Sequence, residues 1–302
     1  MCRHDWTVTQ SARATHPNLV TRPLRLKELP AALEFCRNAG AEGVLAGARL
    51  ADWLAGRLPS GEAWAMVHEG RWPGVAKTHQ IEALCWRGAN LMPVGADPGQ
   101  MADFARLAVK RGGRPASIVG PVEVVLALWD HLRADWGQPR RVFAGQLLME
   151  LVGPPLILPD PWVKVATTDQ LEEVAFAAVA MFTEELGFPP PDPGGAYRRH
   201  VAHLVDQGAV YVRTGMDGQS IEFKADLGAV LADQAQIQGV WTRPDRRGQG
   251  LAKAGMAAVV QAAGGRGIKA VSLYVNEFNR AAVAAYHAVG FRQIGTFATV
   301  MF

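Results

Sequence analysis

Apolar residues along this chain alternate between strand-like runs and helical-period stretches, and the order of the two patterns occurs twice. In the first half, strands are predicted at 22–26, 63–68, 74–85, 90–94, 115–119 and 145–151, with helices at 30–38, 43–58, 99–110 and 122–134. Gly153-Pro154-Pro155 through Pro159-Asp160-Pro161 is a stiff, proline-rich linker. Beyond it the order returns. A strand is predicted at 162–166, a helix at 169–187, a proline-rich loop at 188–195 and a helix at 197–207. Strands follow at 209–214, 220–230 and 235–242, then helix 250–263, strand 269–275, helix 279–288 and a last strand at 291–302. The repetition predicts two related α/β domains, 21–152 and 162–302, joined by the linker 153–161 and preceded by a frayed extension at 1–20.

Composition changes this picture little. Apolar residues are 49% of the 302, a globular balance with length for two cores. No apolar run approaches the roughly 18 residues of a membrane helix, and residues 1–18 lack the apolar stretch of a secretory signal. Cys2, Cys36 and Cys85 have no metal-type spacing and form no even set, which points to reduced thiols in a cytoplasmic protein. A net charge of +3 without a basic run argues against a nucleic-acid partner. His200 and His203 lack a third ligand at recognisable spacing, so they read as solvent-facing helix residues and no metal is expected. Trp6, Trp53, Trp64, Trp72, Trp86, Trp129 and Trp136 read as packing residues of the first half. Arg111-Gly112-Gly113-Arg114 reads as an exposed helix end.

The chemistry concentrates after the strand at 235–242, in the turn Arg247-Gly248-Gln249-Gly250-Leu251-Ala252. Gly248 and Gly250 admit positive φ and close approach of the backbone to a ligand. The following helix points its unpaired N–H groups and positive dipole end at the same spot. Arg243, Arg246 and Arg247 add charge, and the combination suits a polyphosphate. A Walker A loop would end in Gly-Lys-Ser/Thr, whereas this turn runs into Leu251-Ala252-Lys253. Lys253 also takes the third small position of a dinucleotide fingerprint. Downstream, Asn279 is a helix N-cap candidate, and Tyr286 lies seven residues on, two turns along the same face. Gly290 suits the residue that ends that helix.

The pattern Arg-x-x-Gly-x-Ala at Arg247, Gly250 and Ala252, followed by Asn279, Tyr286 and Gly290-Phe291, resembles motifs A and B of the GNAT superfamily of acetyl-CoA-dependent N-acyltransferases. The resemblance implies an α/β fold of the α+β, mixed-sheet kind, with each half a twisted, mostly antiparallel sheet flanked by helices. It implies acetyl-CoA as cosubstrate, its pyrophosphate on the backbone of Arg247, Gly248, Gln249, Gly250, Leu251, Ala252 and Lys253, with Asn279 and Tyr286 as further contacts. Backbone groups of Val240, Trp241 and Thr242 would grip the pantetheine arm, and the Val240 N–H would be the oxyanion donor. The first half resembles the tandem members' degenerate half. Where its own turn belongs it has Val94-Gly95-Ala96-Asp97-Pro98-Gly99, and an aspartate there repels phosphate.

Acyl transfer to an amine needs an acid for the departing thiolate and a base for the ammonium. A phenol near pKa of about 10 is protonated at neutral pH, which makes Tyr286 the acid. For the base, Glu222 stands first, on one strand face with Asp226, while Glu184, Glu185 and the carboxylate of Phe302 remain open. The expected activity is N-acetylation of a primary amine on a small molecule or protein by a monomer or homodimer, with no membrane partner. The alternative is a catalytically inactive acyl-CoA-binding regulatory module.

Overall fold

A computed structural model describes residues 19–68 and 80–302. The extension up to residue 18, with Cys2 and Trp6, lies outside the described residues, as do Trp72 and the first part of the predicted strand 74–85. The first half contains β1 (Leu19–Pro23), α1 (Leu29–Asn38), α2 (Val44–Leu54), β2 (Glu62–His68), β3 (Ile81–Arg87) and β4 (Asn90–Val94). It continues with α3 (Met101–Arg111), β5 (Ser117–Pro121), α4 (Val122–Trp136) and β6 (Arg141–Val152). The second half has β7 (Lys164–Val165), α5 (Leu171–Leu186), α6 (Ala196–Asp206), β8 (Val210–Thr214), β9 (Ile221–Leu231) and β10 (Gln234–Thr242). It ends with α7 (Leu251–Gly265), β11 (Ala270–Asn276), α8 (Arg280–Val289) and β12 (Arg292–Met301). The helix expected at 43–58 stops at Leu54, ahead of Pro59, and the strand expected at 162–166 keeps only two residues.

Among the described residues, twelve strands form one mixed, mostly antiparallel sheet in the order β1-β2-β3-β4-β5-β12-β6-β11-β10-β9-β8-β7. Only β4·β5 and β10·β11 run parallel, each pair joined by a helix, α3 or α7. These two βαβ units are the matching parts of the two halves. The strands that close the halves are interleaved: β6 lies between β11 and β12, and β12 between β5 and β6. The proline-rich segment between the halves is docked. Leu156 N–H donates to Val289 O (2.8 Å) and Asp160 N–H to Ala254 O (3.0 Å).

The apolar cores follow the interleaving. Met149 and Leu151 of β6 pack into the core of the second half, with α5–α8 and β8–β11. Ala298 and Val300 of β12 pack with α3 and α4 of the first. A third core sets α1 and α2 against Leu148, Ala229, Leu231 and Phe297. The tryptophans behave as expected where described, with Trp64, Trp86 and Trp136 buried. Cys36 and Cys85 are buried free thiols, and burial pushes the Cys36 thiol up to about 12, so neither is a nucleophile at neutral pH. Among the described residues no helix is long and apolar enough to cross a membrane.

Candidate active site

The site begins where two parallel strands part. β10 and β11 pair only from Gln234↔Ala270 to Gln236↔Ser272, and β10 then runs on to Thr242 without a partner on that side. On its other side β10 is bulged. Gln238 pairs with Asp226 and Trp241 with Lys224, so three steps on β10 match two on β9. Gly239 and Val240 occupy the bulge, and Gly239 has a φ of 59°, which costs a side-chain-bearing residue strain. The bulge and the missing partner together open a gap between β10 and β11.

At the end of β10 the chain turns through a short 3₁₀ segment into α7. Gly248 (φ 74°) and Gly250 (φ 83°) carry the turn, and Gly250 caps the helix without any side-chain cap. Among the described residues, the backbone amides of 248–253 have no recorded acceptor. Six unpaired donors therefore lie together at the N-terminal, dipole-positive end of α7, an arrangement that fits a pyrophosphate. The first half lacks it: Asp97 N–H donates to Gln100 Oε1 (2.8 Å), closing the corresponding turn on itself.

The arginines near the turn are committed elsewhere. Arg247 bonds Thr242 O through Nε (3.0 Å) and Glu184 Oε2 through Nη2 (2.5 Å). Arg246 pairs with Glu222 (2.6 Å), and Arg243 with Asp245 (2.8 Å). Glu222 also receives Arg213 Nε (3.1 Å), whose Nη1 binds the buried Asp160 (2.5 Å). Glu222 is thus the centre of an arginine cluster that ties β8, β9, the turn and the docked linker together. Both of its carboxylate oxygens are taken up by these ion pairs.

Strand alternation places Glu222, Lys224 and Asp226 on one face of β9. Cross-strand pairing adds Gln236 and Gln238 of β10, and Ser272, Tyr274 and Asn276 of β11, to that face. The result is a polar, largely buried stripe beside the gap. Lys224 Nζ binds Asp226 Oδ2 (2.5 Å) and Gly239 O (3.3 Å), joining the stripe to the bulge. Burial raises the Asp226 carboxyl pKa, with Lys224 opposing that effect.

Tyr286 stands on α8 within the core of the second half, its ring 6.1 Å from that of Phe291. It is 6% exposed, and burial pushes its phenol well above the ordinary value, with the Glu185 carboxylate adding to the effect. Glu185, near the C-terminal end of α5, accepts from Asn276 Nδ2 (3.3 Å) and acts on Tyr274 as well as Tyr286. It is exposed, yet the surrounding protein desolvates its carboxyl and raises its pKa. Glu184, its neighbour, is taken up by Arg247 and by Trp241 Nε1 (3.2 Å). Asn279 caps α8, its Oδ1 accepting from Ala282 N–H (3.3 Å). The Phe302 ring lies among Trp129, Trp136 and Arg114 of the first half, away from the gap.

Comparison with known proteins fits this geometry. Residues 220–291 match the model of the acetyltransferase (GNAT) family. The carboxyl-terminal half carries a GNAT domain. Residues 70–174 match a family described as a domain of unknown function, DUF4081. Among solved structures, a GNAT-family acetyltransferase from Colwellia psychrerythraea superposes with a TM-score of 0.53 at 14% identity, over 94% of this chain and 99% of that one. A GCN5-related N-acetyltransferase from Sphaerobacter thermophilus gives 0.54 at 16%, over 94% and 95%. A tandem GNAT protein from the clavulanic acid biosynthesis pathway gives 0.53 at 14%, over 94% and 98%. No curated protein sequence matched the chain.

The bulge at Val240 and the turn at 247–252 follow one another at the end of β10, and Tyr286 lies on α8, which packs beside α7. The fold removes Glu222 and Phe302 from the neighbourhood of a free base. Lys224 went unremarked in the sequence, although an acid–lysine–acid alternation in an apolar strand signals a polar face.

Proposed function

We propose that the protein is an acetyl-CoA-dependent N-acetyltransferase that transfers an acetyl group to a primary amine of a small molecule or protein by direct attack on the thioester. One observation carries the reading: the β10–β11 gap ends at free turn amides, and the same domain holds a buried tyrosine coupled to a desolvated carboxylate. Acetyl-CoA, as cosubstrate, supplies the activated acetyl group. The amides of 248–253 and the α7 dipole hold its pyrophosphate, with Lys253 and Asn279 at the rim. The backbone of Val240, Trp241 and Thr242 lines the gap, and the Val240 N–H is the donor for developing negative charge at the carbonyl oxygen. Tyr286 keeps its proton at neutral pH and donates it to the leaving thiolate.

The base role moves from Glu222 to Glu185. Glu185 is exposed, and its raised pKa suits it to accept a proton from an ammonium. A tyrosine and a carboxylate coupled in this way favour this reading over an inactive acyl-CoA-binding module. The test is calorimetric titration with acetyl-CoA, with NAD and ATP as controls. Selective micromolar binding that Gly250→Glu abolishes is expected. Absence of acetyl-CoA binding would overturn the proposal, and binding without thiol release across a broad amine screen would favour the inactive module.

A further inference from the structure

The first half holds a pocket that the acetyl-transfer chemistry does not use. Its volume is about 290 Å³, near the lower end of small-molecule sites at about 300 Å³. It opens between the end of α2, the start of β2, the β3–β4 hairpin and the end of α3, with Trp53, Glu62, Arg87, Gly88 and Arg111 among its walls. The strands β4, β5, β12 and β6 lie between β3 and β11, so this pocket and the β10–β11 gap are separate places.

The walls are flat and firmly held. Gly61 and Gly88 lie against the Trp86 indole: a Cβ on Gly61 would come within 2.2 Å of that ring, and one on Gly88 within 2.9 Å of its Nε1. Trp86 is buried, and Trp53 stands edge-on to it with ring centroids 6.0 Å apart. The Arg87 guanidinium lies over the Trp64 ring (5.9 Å), and its Nη2 donates to Gly112 O (2.6 Å) and Gly113 O (3.2 Å). Both glycines have positive φ, 69° and 68°, which turns two successive carbonyls onto one nitrogen. The helix end Arg111-Gly112-Gly113-Arg114 is thus a clamp that fixes a cation in the pocket wall.

What the walls leave unpaired is positive and donates. Glu62 spends both oxygens, Oε1 on Arg111 Nη2 (2.6 Å) and Oε2 on Trp64 Nε1 (3.0 Å). Among the described residues Arg87 has no carboxylate partner and its Nη1 has no recorded acceptor. Its Nε is closed off from solvent, whereas Nη1 is not, so Nη1 is the nitrogen left for a ligand. Arg111 is exposed, and its N–H groups other than those on Nη2 have no recorded acceptor among the described residues. Two guanidiniums against one carboxylate leave one unmatched positive charge beside the indole of Trp53.

We propose that this pocket is a ligand site of the first half, for a small monoanion that joins a carboxylate to a flat aromatic ring. The carboxylate takes hydrogen bonds from Arg87 Nη1 and Arg111, and the ring lies against Trp53. One unmatched charge suits a carboxylate better than a dianionic phosphate. The Arg111–Glu62 pair stays intact, because the ligand uses the nitrogens that the pair leaves free. The site stands independently of acetyl transfer.

The experiment is calorimetric titration of the full-length protein, without acetyl-CoA, using benzoate and indole-3-acetate as probes. Benzamide, indole-3-acetamide and inorganic phosphate are the controls. Each carboxylate should bind at least about tenfold more tightly than its amide, and phosphate should not displace it. Arg111→Gln should weaken both carboxylates by about tenfold with Tm nearly unchanged, because the Arg111 side chain is exposed. In nuclear magnetic resonance spectra, the indole N–H signal that Trp53→Leu removes should be the one that shifts on titration of the wild-type protein. No binding of either carboxylate at millimolar concentration, equal binding of acid and amide, or unchanged affinity in Arg111→Gln overturns the proposal. A shift confined to other tryptophans places the ligand elsewhere and overturns it as well.

Discussion

The carboxylates around the gap share one chemistry and differ only in what surrounds them. Glu185 is desolvated, with an asparagine amide as its recorded hydrogen-bond partner, and its pKa is raised from 4.5. As a base it must be ionised, so kcat/KM should fall as pH drops through that raised value, above the ordinary glutamate value of about 4.3. Glu185→Gln should lower kcat/KM about a hundredfold or more and abolish the acid limb. A retained limb in that variant would assign the limb to another group. Tyr286 works in the opposite protonation state. Its raised pKa keeps it protonated well past neutrality, and Tyr286→Phe should cut kcat while leaving acetyl-CoA affinity nearly unchanged by calorimetry. Glu222 is a structural carboxylate. Its three arginines are a quarter to a third exposed, which screens the pairs, so Glu222→Gln should cost about 1–3 kcal/mol, below the loss from a fully buried pair. Thermal unfolding should show that loss with kcat within a few-fold of wild type, and a collapse of kcat with unchanged stability would return Glu222 to the catalytic set.

At the scale of elements, the site depends on how closely α7 lies on β9. Gly255 faces the Phe223 ring, and a Cβ there would come within 2.6 Å of it. Small residues along α7 let the helix settle low, which fixes where its N-terminal amides emerge. Gly255→Val should cost about 1–3 kcal/mol by overpacking and lower Tm by several degrees. It should also weaken acetyl-CoA binding, because the helix must lift at the end that carries the turn. Unchanged Tm and affinity would mean that the Phe223 ring yields freely. Helices and turns of this kind were readable in the sequence. The glycines of the turn, the N-cap Asn279 and Gly290 act through backbone geometry and short-range hydrogen bonds, so their residue types alone foretell them. The bulge at Gly239 was less legible, since an isolated glycine in a strand marks many things. The register shift against β9 is a property of two strands together.

For the molecule as a whole, the interleaving of β6 and β12 makes each half depend on the other. β6 supplies Met149 and Leu151 to the second half, and β12 supplies Ala298 and Val300 to the first. Without its borrowed strand, each half would expose a sheet edge and an open core. Fragments 1–153 and 154–302 expressed singly should therefore aggregate or unfold, and co-expressed they should recover a soluble complex, read by circular dichroism and gel filtration. Two separately folded, monodisperse fragments would show that the interleaving is dispensable.

The sequence by itself determined the parts that rest on local physics. These are the order of strands and helices, the glycine turn with its Arg-x-x-Gly-x-Ala spacing, and the helix that Asn279 caps and Gly290 ends. Periodicity and backbone preference act over a few residues, so the chain states them directly. Only the tertiary structure decided which carboxylate is held by arginines and which strands exchange partners. A glutamate inside an arginine cluster and one outside it are the same letter in a sequence. What separates them is the desolvation and charge imposed by residues as far as 91 positions away along the chain.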